Sequence, residues 1–164
     1  MTKIVIIGAG SVSFGPAMLD DLHLHRNVLR GSEVWLVDLD PAALALSSAY
    51  AARLAASAGD EPATAGTAAA FNVQVATDRR EALPGADVVI VSVAVDRMAT
   101  WRLDWQIPLR HGVRHVLGEN GGPGGLSHAL RNIPLLLAIA RDIEALAPNA
   151  LLLNFTNPAS RLCL

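Results

Sequence analysis

The chain has 164 residues, a length for about one domain with a sizeable core, and 52% hydrophobic against 17% charged residues places it with globular proteins rather than disordered ones. A net charge of −2 and 4% aromatic residues provide no basic, ring-bearing surface, so nucleic acid is not an expected partner. One cysteine, Cys163, excludes an internal disulfide and fits a reducing compartment, with the cytoplasm as the default.

The first element is Lys3 to Gly15, KIVIIGAGSVSFG. Ile4 to Ile7 are β-branched without alternation, which predicts a parallel strand covered on both faces. Gly8 and Gly10 then permit a tight turn and close backbone approach of a ligand. Ser11 can cap a following helix whose N-terminal N–H groups face a pyrophosphate. The third glycine of G-x-G-x-x-G falls on Ser13, with Gly15 two positions later. A second strand, Glu33 to Val37, ends at Asp38, where a carboxylate can accept bonds from both adenine-ribose hydroxyls and repel a 2′-phosphate. NAD is therefore favoured over NADP. The competing reading is that the glycines only turn the chain and that Asp38, with Asp40 and Pro41, only caps the next helix.

Helices are predicted over Gly15–Arg26, with Met18, Leu22 and Leu19 inward, and over Pro41–Ala58, where Tyr50 is a packing residue. His23 and His25 are two apart and diverge on a helix, so they cannot hold one metal together. Small residues from Gly59 to Ala70 predict a mobile loop. Phe71–Ala76 alternates as a strand, Asp78–Leu83 is a short helix, and Val88–Val95 is another continuous β-branched run expected to be a buried parallel strand. Trp101–Leu109 is expected to be helical as far as Ile107, because Pro108 restricts its predecessor. The glycine run Gly118–Gly125 is expected to break all regular structure. Leu126–Ala147 is helical with a kink or restart at Pro134, and Ala150–Phe155 is a last buried strand before Asn157-Pro158. The apolar runs around Ile133–Ala140 and Val88–Val95 are too short to span a bilayer, and the N-terminus lacks a cleavage pattern, so no membrane partner is expected. Strand-helix alternation implies an α/β fold, a Rossmann-like doubly wound parallel sheet with helices on both faces and ligands beyond the carboxyl ends of the strands.

Three groups are expected at that edge: Gly8 to Ser11, Val95 onward, and Asn154 to Asn157. GENGGPGG, Gly118 to Gly125, cannot pack a core, and Glu119 within it is either a proton donor or acceptor or a solvated turn residue. Asn154 and Asn157 offer amide donors and acceptors to sugar hydroxyls or a carboxamide, or else serve turn chemistry before Pro158.

KIVIIGAGS with Phe14, ADVVIVSVAV at Ala86–Val95, D-x-x-IP at Asp104–Pro108 with Gly112, GENGGPGGL followed by ALRNIP at Ala129–Pro134, and PNALLLNFTNPAS at Pro148–Ser160 occur together in one order. In motifs, order and spacing over the whole chain, this resembles glycoside hydrolase family 4, the NAD- and divalent-metal-dependent glycosidases. The interval from Pro108 to Glu119 is similar to that of α-galactosidase-like members, which carry Asp there in a GDT sequence, whereas Glu is similar to the phospho-sugar members.

The resemblance implies a small-molecule glycoside substrate, tightly held NAD that takes a hydride from C3 of the sugar, loss of the acidified C2 proton, elimination of the leaving group, addition of water and re-reduction. It also implies a Mn2+ ion and a homo-oligomer. By position, Glu119 matches the acid that assists the leaving group and Asn157 a substrate-binding asparagine; Asn154 is a second contact and Arg102 or Arg97 a further one. The family's metal-binding Cys and His and its tyrosine base lie beyond Leu164, so no metal ligand is expected within the chain, and Cys163 is read as buried and structural. Residues 1–164 are then one NAD-binding domain, the N-terminal part of a longer enzyme whose C-terminal domain is absent, and inactive in isolation. Two alternatives stay open. One is a malate- or lactate-type dehydrogenase, which needs a His with a carboxylate partner, and His111, His115 and His128 have none evident in sequence. The other is a non-catalytic NAD-binding module.

Overall fold

The computed structural model describes residues 1–57, 71–115 and 121–163. The predicted loop at Gly59–Ala70 and the segment with Gly118 and Glu119 lie outside the described residues. The elements are β1 (Lys3–Ile7), α1 (Phe14–Leu24), β2 (Ser32–Val37), α2 (Pro41–Ser57), β3 (Phe71–Ala76), α3 (Arg79–Ala82), β4 (Val88–Val91), α4 (Arg97–Arg110), α5 (Gly122–Leu146), β5 (Leu151–Asn154) and α6 (Ala159–Leu162). The strands form one sheet in the order β3-β2-β1-β4-β5. β1 pairs in parallel with β2 (Ile4 with Val34, Ile7 with Val37) and with β4 (Ile4 with Val88, Ile7 with Val91). The connection therefore reverses at β1, leaving a crevice at the carboxyl ends of β1 and β4.

The chain divides into two compact units, residues 1–92 with 142–153, and residues 93–141 with 154–164. In the first, the unbroken β-branched run of β1 is buried on both faces. Ile4 and Ile6 join Val34, Leu36 and Ile90 under Leu19 and Leu22 of α1 and Leu44 and Ala51 of α2, with Met18 and Tyr50 at the margin. Val5, Ile7, Val37, Val89 and Val91 point the other way and are equally buried. Each such side chain contributes about 1.5–3 kcal/mol by leaving water. Asp78 caps α3 through Arg80 N–H at 2.9 Å. Arg79 and Arg80 both bind Asp142 (Arg79 Nε at 2.7 Å, Arg80 Nε at 3.2 Å).

Five expectations need correction. β4 stops at Val91 rather than Val95. Ser92 N–H still reaches Ile7 O, but β1 ends there and the Val93 N–H turns to the Thr156 hydroxyl. α4 runs through Pro108 to Arg110, because the proline falls in the last turn, where its carbonyl accepts His111 N–H and Val113 N–H. The glycine run does not break all regular structure, since Gly122–Gly125 form the first turn of α5, where Pro123 costs no helical bond. α5 also continues through Pro134 and does not restart there, the proline and Leu130 four residues before it both lying exposed. Finally, β5 is not a buried strand. It occupies the sheet edge, and Leu151, Leu152, Leu153 and the following Phe155 are all exposed despite their apolar composition. Among the described residues no helix is long and apolar enough to cross a membrane.

Candidate functional site

In the first unit the turn after β1 is tied on every side. Gly8, at φ 92, occupies the left-handed region, and its N–H and that of Ala9 both donate to Val37 O at the end of β2. Gly10 N–H donates to Asp38 Oδ2 at 2.9 Å. A Cβ on Gly10 would stand 2.7 Å from Ala43 Cβ and 2.8 Å from that carboxylate oxygen, so only glycine lets the turn close on Asp38. Gly15, buried in α1, lies so close to the Ala9 carbonyl oxygen that a Cβ there would collide with backbone. It lets α1 pack close against the turn after β1, from a position two residues beyond the third glycine of the G-x-G-x-x-G spacing. The Ala9 carbonyl also accepts the buried Ser47 hydroxyl at 2.9 Å.

Asp38 and Asp40 have separate tasks. Asp40 Oδ1 caps α2 by accepting Ala42 N–H at 2.8 Å and Ala43 N–H at 3.2 Å, while Asp38 accepts Gly10 N–H and, through Oδ1, Asp40 N–H at 3.1 Å. Asp38 is thus not the helix cap, and its half-buried carboxylate keeps further lone pairs for a ligand. Ser13, the residue capping α1, makes no side-chain bond there; two residues earlier the Ser11 hydroxyl accepts Phe14 N–H at 3.2 Å and the Ser11 carbonyl accepts Gly15 N–H. The N–H groups from Gly8 to Ser11 are all engaged inside the turn. Those of Val12 and Ser13, both exposed ahead of the eleven-residue α1, bond to no other described residue. A close-approach turn, free N–H groups at a helix start and a carboxylate at the end of β2 fit a dinucleotide: the first two suit its pyrophosphate and the carboxylate a ribose diol.

The second unit holds the asparagines. Asn154 Oδ1 accepts Thr156 N–H at 3.0 Å and its Nδ2 lies 3.4 Å from Cys163 Sγ, so its amide shapes the turn after β5. Thr156 is 1% exposed, Pro158 is fully buried, and Asn157 between them is exposed, joined to Pro158 by a cis peptide. Arg102 lies exposed on α4. Cys163 is free and exposed rather than buried, because it follows the last turn of the short α6. Among the described residues no three His, Cys, Asp or Glu side chains gather to hold a metal, so no metal step is assigned to them.

The sequence reading missed a buried polar cluster. Asp104 of α4 takes a two-pronged bond from Arg131 of α5, Nη1 to Oδ1 at 2.9 Å and Nη2 to Oδ2, and Ser127 Oγ also accepts Nη1 at 2.8 Å. His128 Nδ1 is 3.9 Å from Asp104 Oδ2. A carboxylate therefore does lie near a histidine, contrary to the sequence expectation, yet it is committed to the guanidinium, and the imidazole is 3% exposed. That is not the oriented, accessible pair a dehydrogenase needs. The available signal was periodicity: His128 and Asn132 fall on the same helical stripe as the buried Leu136, Ile139 and Ile143.

Residues 3–163 match the family model described as Family 4 glycosyl hydrolase. An alpha-glucosidase of Erwinia rhapontici is 48% identical over 99% of this chain and 34% of its own length. A probable 6-phospho-beta-glucosidase of Bacillus subtilis is 39% identical over 96% of this chain and 33% of its own. The 6-phospho-beta glucosidase of Thermotoga maritima, solved with manganese, NAD+ and glucose-6-phosphate, superposes with a TM-score of 0.80 at 27% identity, covering 96% of this chain and 35% of the other. The chain thus spans about a third of the length of these relatives.

Proposed function

Because the chain belongs to the family 4 glycosyl hydrolases, we propose that its 164 residues form the NAD-binding region of an enzyme that cleaves O-glycosidic bonds of glucose-type sugars. The observation that carries the reading is the closure of the Gly8–Gly10 turn on Asp38, with free N–H groups at Val12 and Ser13. Bound NAD would supply reversible hydride acceptance at the sugar, so that C3 oxidation, elimination, addition of water and re-reduction leave no net redox change.

The residues of this chain have supporting tasks. Gly8, Gly10 and Ser11 shape the backbone that admits the pyrophosphate, and Val12 and Ser13 donate to it. Asp38 accepts from the adenine-ribose hydroxyls and disfavours a 2′-phosphate, which selects NAD over NADP. Asn157, exposed and held at its neighbours, contacts the sugar; Asn154 supports it from within the turn, and Arg102 is a further contact. Glu119, outside the described residues, assists departure of the leaving group. The glucose-type substrate draws support from the names of the relatives. A cytoplasmic location fits the single free cysteine. Self-association fits the exposed Leu126, Leu130 and Leu137 along one face of α5 and is checked by sedimentation.

Calorimetric titration with NAD and with NADP tests the cofactor assignment. NAD is expected to bind more tightly, and Asp38→Ala to lose about tenfold or more in affinity, the equivalent of one charged hydrogen bond. Equal binding of both dinucleotides, or an unchanged affinity in the variant, would remove Asp38 from the cofactor site.

A further inference from the structure

We propose that Asn132 is a positioning residue for Asn157, fixing from inside α5 the main chain that presents the Asn157 amide; this rests on reading Asn157 as the sugar contact. Asn132 is 1% exposed and lies on the stripe of α5 otherwise filled by Leu136 and Ile139. Its Nδ2 reaches two acceptors, the His128 carbonyl one turn back at 3.2 Å and the Asn157 carbonyl, 25 residues away, at 3.5 Å. Both partners are carbonyls, so the nitrogen must face them and the oxygen must face away. That oxygen is buried and has no partner among the described residues.

A leucine at this place in the stripe would pack with its neighbours and leave no orphan acceptor, so helix stability alone does not explain an asparagine. What the amide gains is a hold on the Asn157 main chain. The rest of the turn is pinned in the same manner. Thr156 Oγ1 accepts Val93 N–H at 3.1 Å, Thr156 N–H donates to Asn154 Oδ1, and Pro158 is fully buried. An exposed residue between two buried anchors has a directed side chain on a fixed backbone, the arrangement a binding amide requires.

The test is 15N relaxation of the isotopically labelled chain. In Asn132→Leu the backbone order parameter at Asn157 is expected to fall from the rigid value of about 0.85 to below about 0.6, while the melting temperature is unchanged or higher. A merely structural Asn132 would show the reverse: a lower melting temperature with Asn157 as rigid as before. If Asn132→Leu does not fold, Asn132→Ala, which removes the donor without burying a charge, is read by the order parameter at Asn157 alone. Failure of both to fold would overturn the proposal by making Asn132 a residue of the core alone. Titrating unaltered chain with methyl α-glucoside in the presence of NAD separately tests the underlying reading. Shifts in the Asn157 side-chain amide would support it, and their absence would reject Asn157 as the sugar contact whatever the order parameters show.

Discussion

The turn after β1, in the first unit, and the turn after β5, in the second, are built by opposite means. After β1, geometry is set by what is missing from side chains: Gly10 and Gly15 leave room for Asp38 and for the Ala9 carbonyl, and the N–H groups find backbone or carboxylate partners nearby. After β5, geometry is set by side chains that are present and buried. Thr156 and Asn132 hold that turn, and in the same unit the Asp104–Arg131 pair joins α4 to α5. A glycine turn tolerates no added atom, whereas a polar network tolerates no lost partner. The first is broken by small additions and the second by deletions.

The largest expected effect lies in the second unit. Arg131→Met leaves Asp104, whose side chain is 6% exposed, with only the His128 imidazole 3.9 Å away in place of a two-pronged guanidinium, and unfolding in urea should show a loss of about 3 kcal/mol. Adding Asp104→Leu should recover most of it, since a well-packed apolar pair replaces the ion pair without an unpaired charge. A double variant as unstable as the single one would mean that the pair does more than satisfy itself. In the first unit the matching experiment is an addition. Gly15→Ala drives a methyl group into the Ala9 carbonyl, a backbone atom held also by Ser47, and should cost about 1–3 kcal/mol by the same measurement and weaken NAD binding.

The same contrast explains what could be read from the sequence. The sheet, the strand run Ile4–Ile7, Phe71–Ala76 and the carboxylate at the end of β2 are local patterns, visible as composition over a few residues. Gly15 was visible but its role was not, because that depends on how near α1 passes to Ala9. Asp104, Arg131, Asn132 and Thr156 pair across 25 to 63 positions, and nothing local distinguishes Arg131 from a solvated arginine. β5 was misread because Leu151–Leu153 have buried-strand composition, and composition does not reveal that the strand lies at a sheet edge. Glu119, the residue that the motif comparison weights most, lies where the described residues do not reach.

Acid sharpens the comparison by acting on a charge cluster of the first unit. Partial burial would raise the Asp142 carboxyl, but hydrogen bonds from Arg79 and Arg80 and their charges outweigh it and hold the group below its ordinary 3.8. A carboxyl depressed in the folded state contributes stability that is present above its unfolded value and lost as pH falls through the lower folded value. Urea midpoints should therefore drop below about pH 4 more steeply in the parent than in Asp142→Asn. Arg80 is 66% exposed and screened by solvent, so the difference should be about 1 kcal/mol or less. Parallel profiles would show that the cluster contributes nothing measurable.

The smallest effect comes from the one place in the second unit where the rule of the glycine turn is broken. Asp96, ahead of α4, is the only non-glycine residue at positive φ among those described, at φ 40 and ψ 47. An L-residue is strained there, although aspartate tolerates the region better than most. Its side chain makes no capping bond to α4, and the two bonds the residue does accept, from Thr100 N–H at 3.0 Å and Thr100 Oγ1 at 3.1 Å, both end on its backbone carbonyl. Asp96→Gly would keep those bonds and remove the strain, while a more flexible unfolded chain offsets part of the gain. A net stabilisation of about 0.5 kcal/mol is expected in urea unfolding. A loss instead would mean that the Asp96 carboxylate, and not only its carbonyl, holds the start of α4, which would bring this turn under the same dependence on side chains as Asn132 and Thr156.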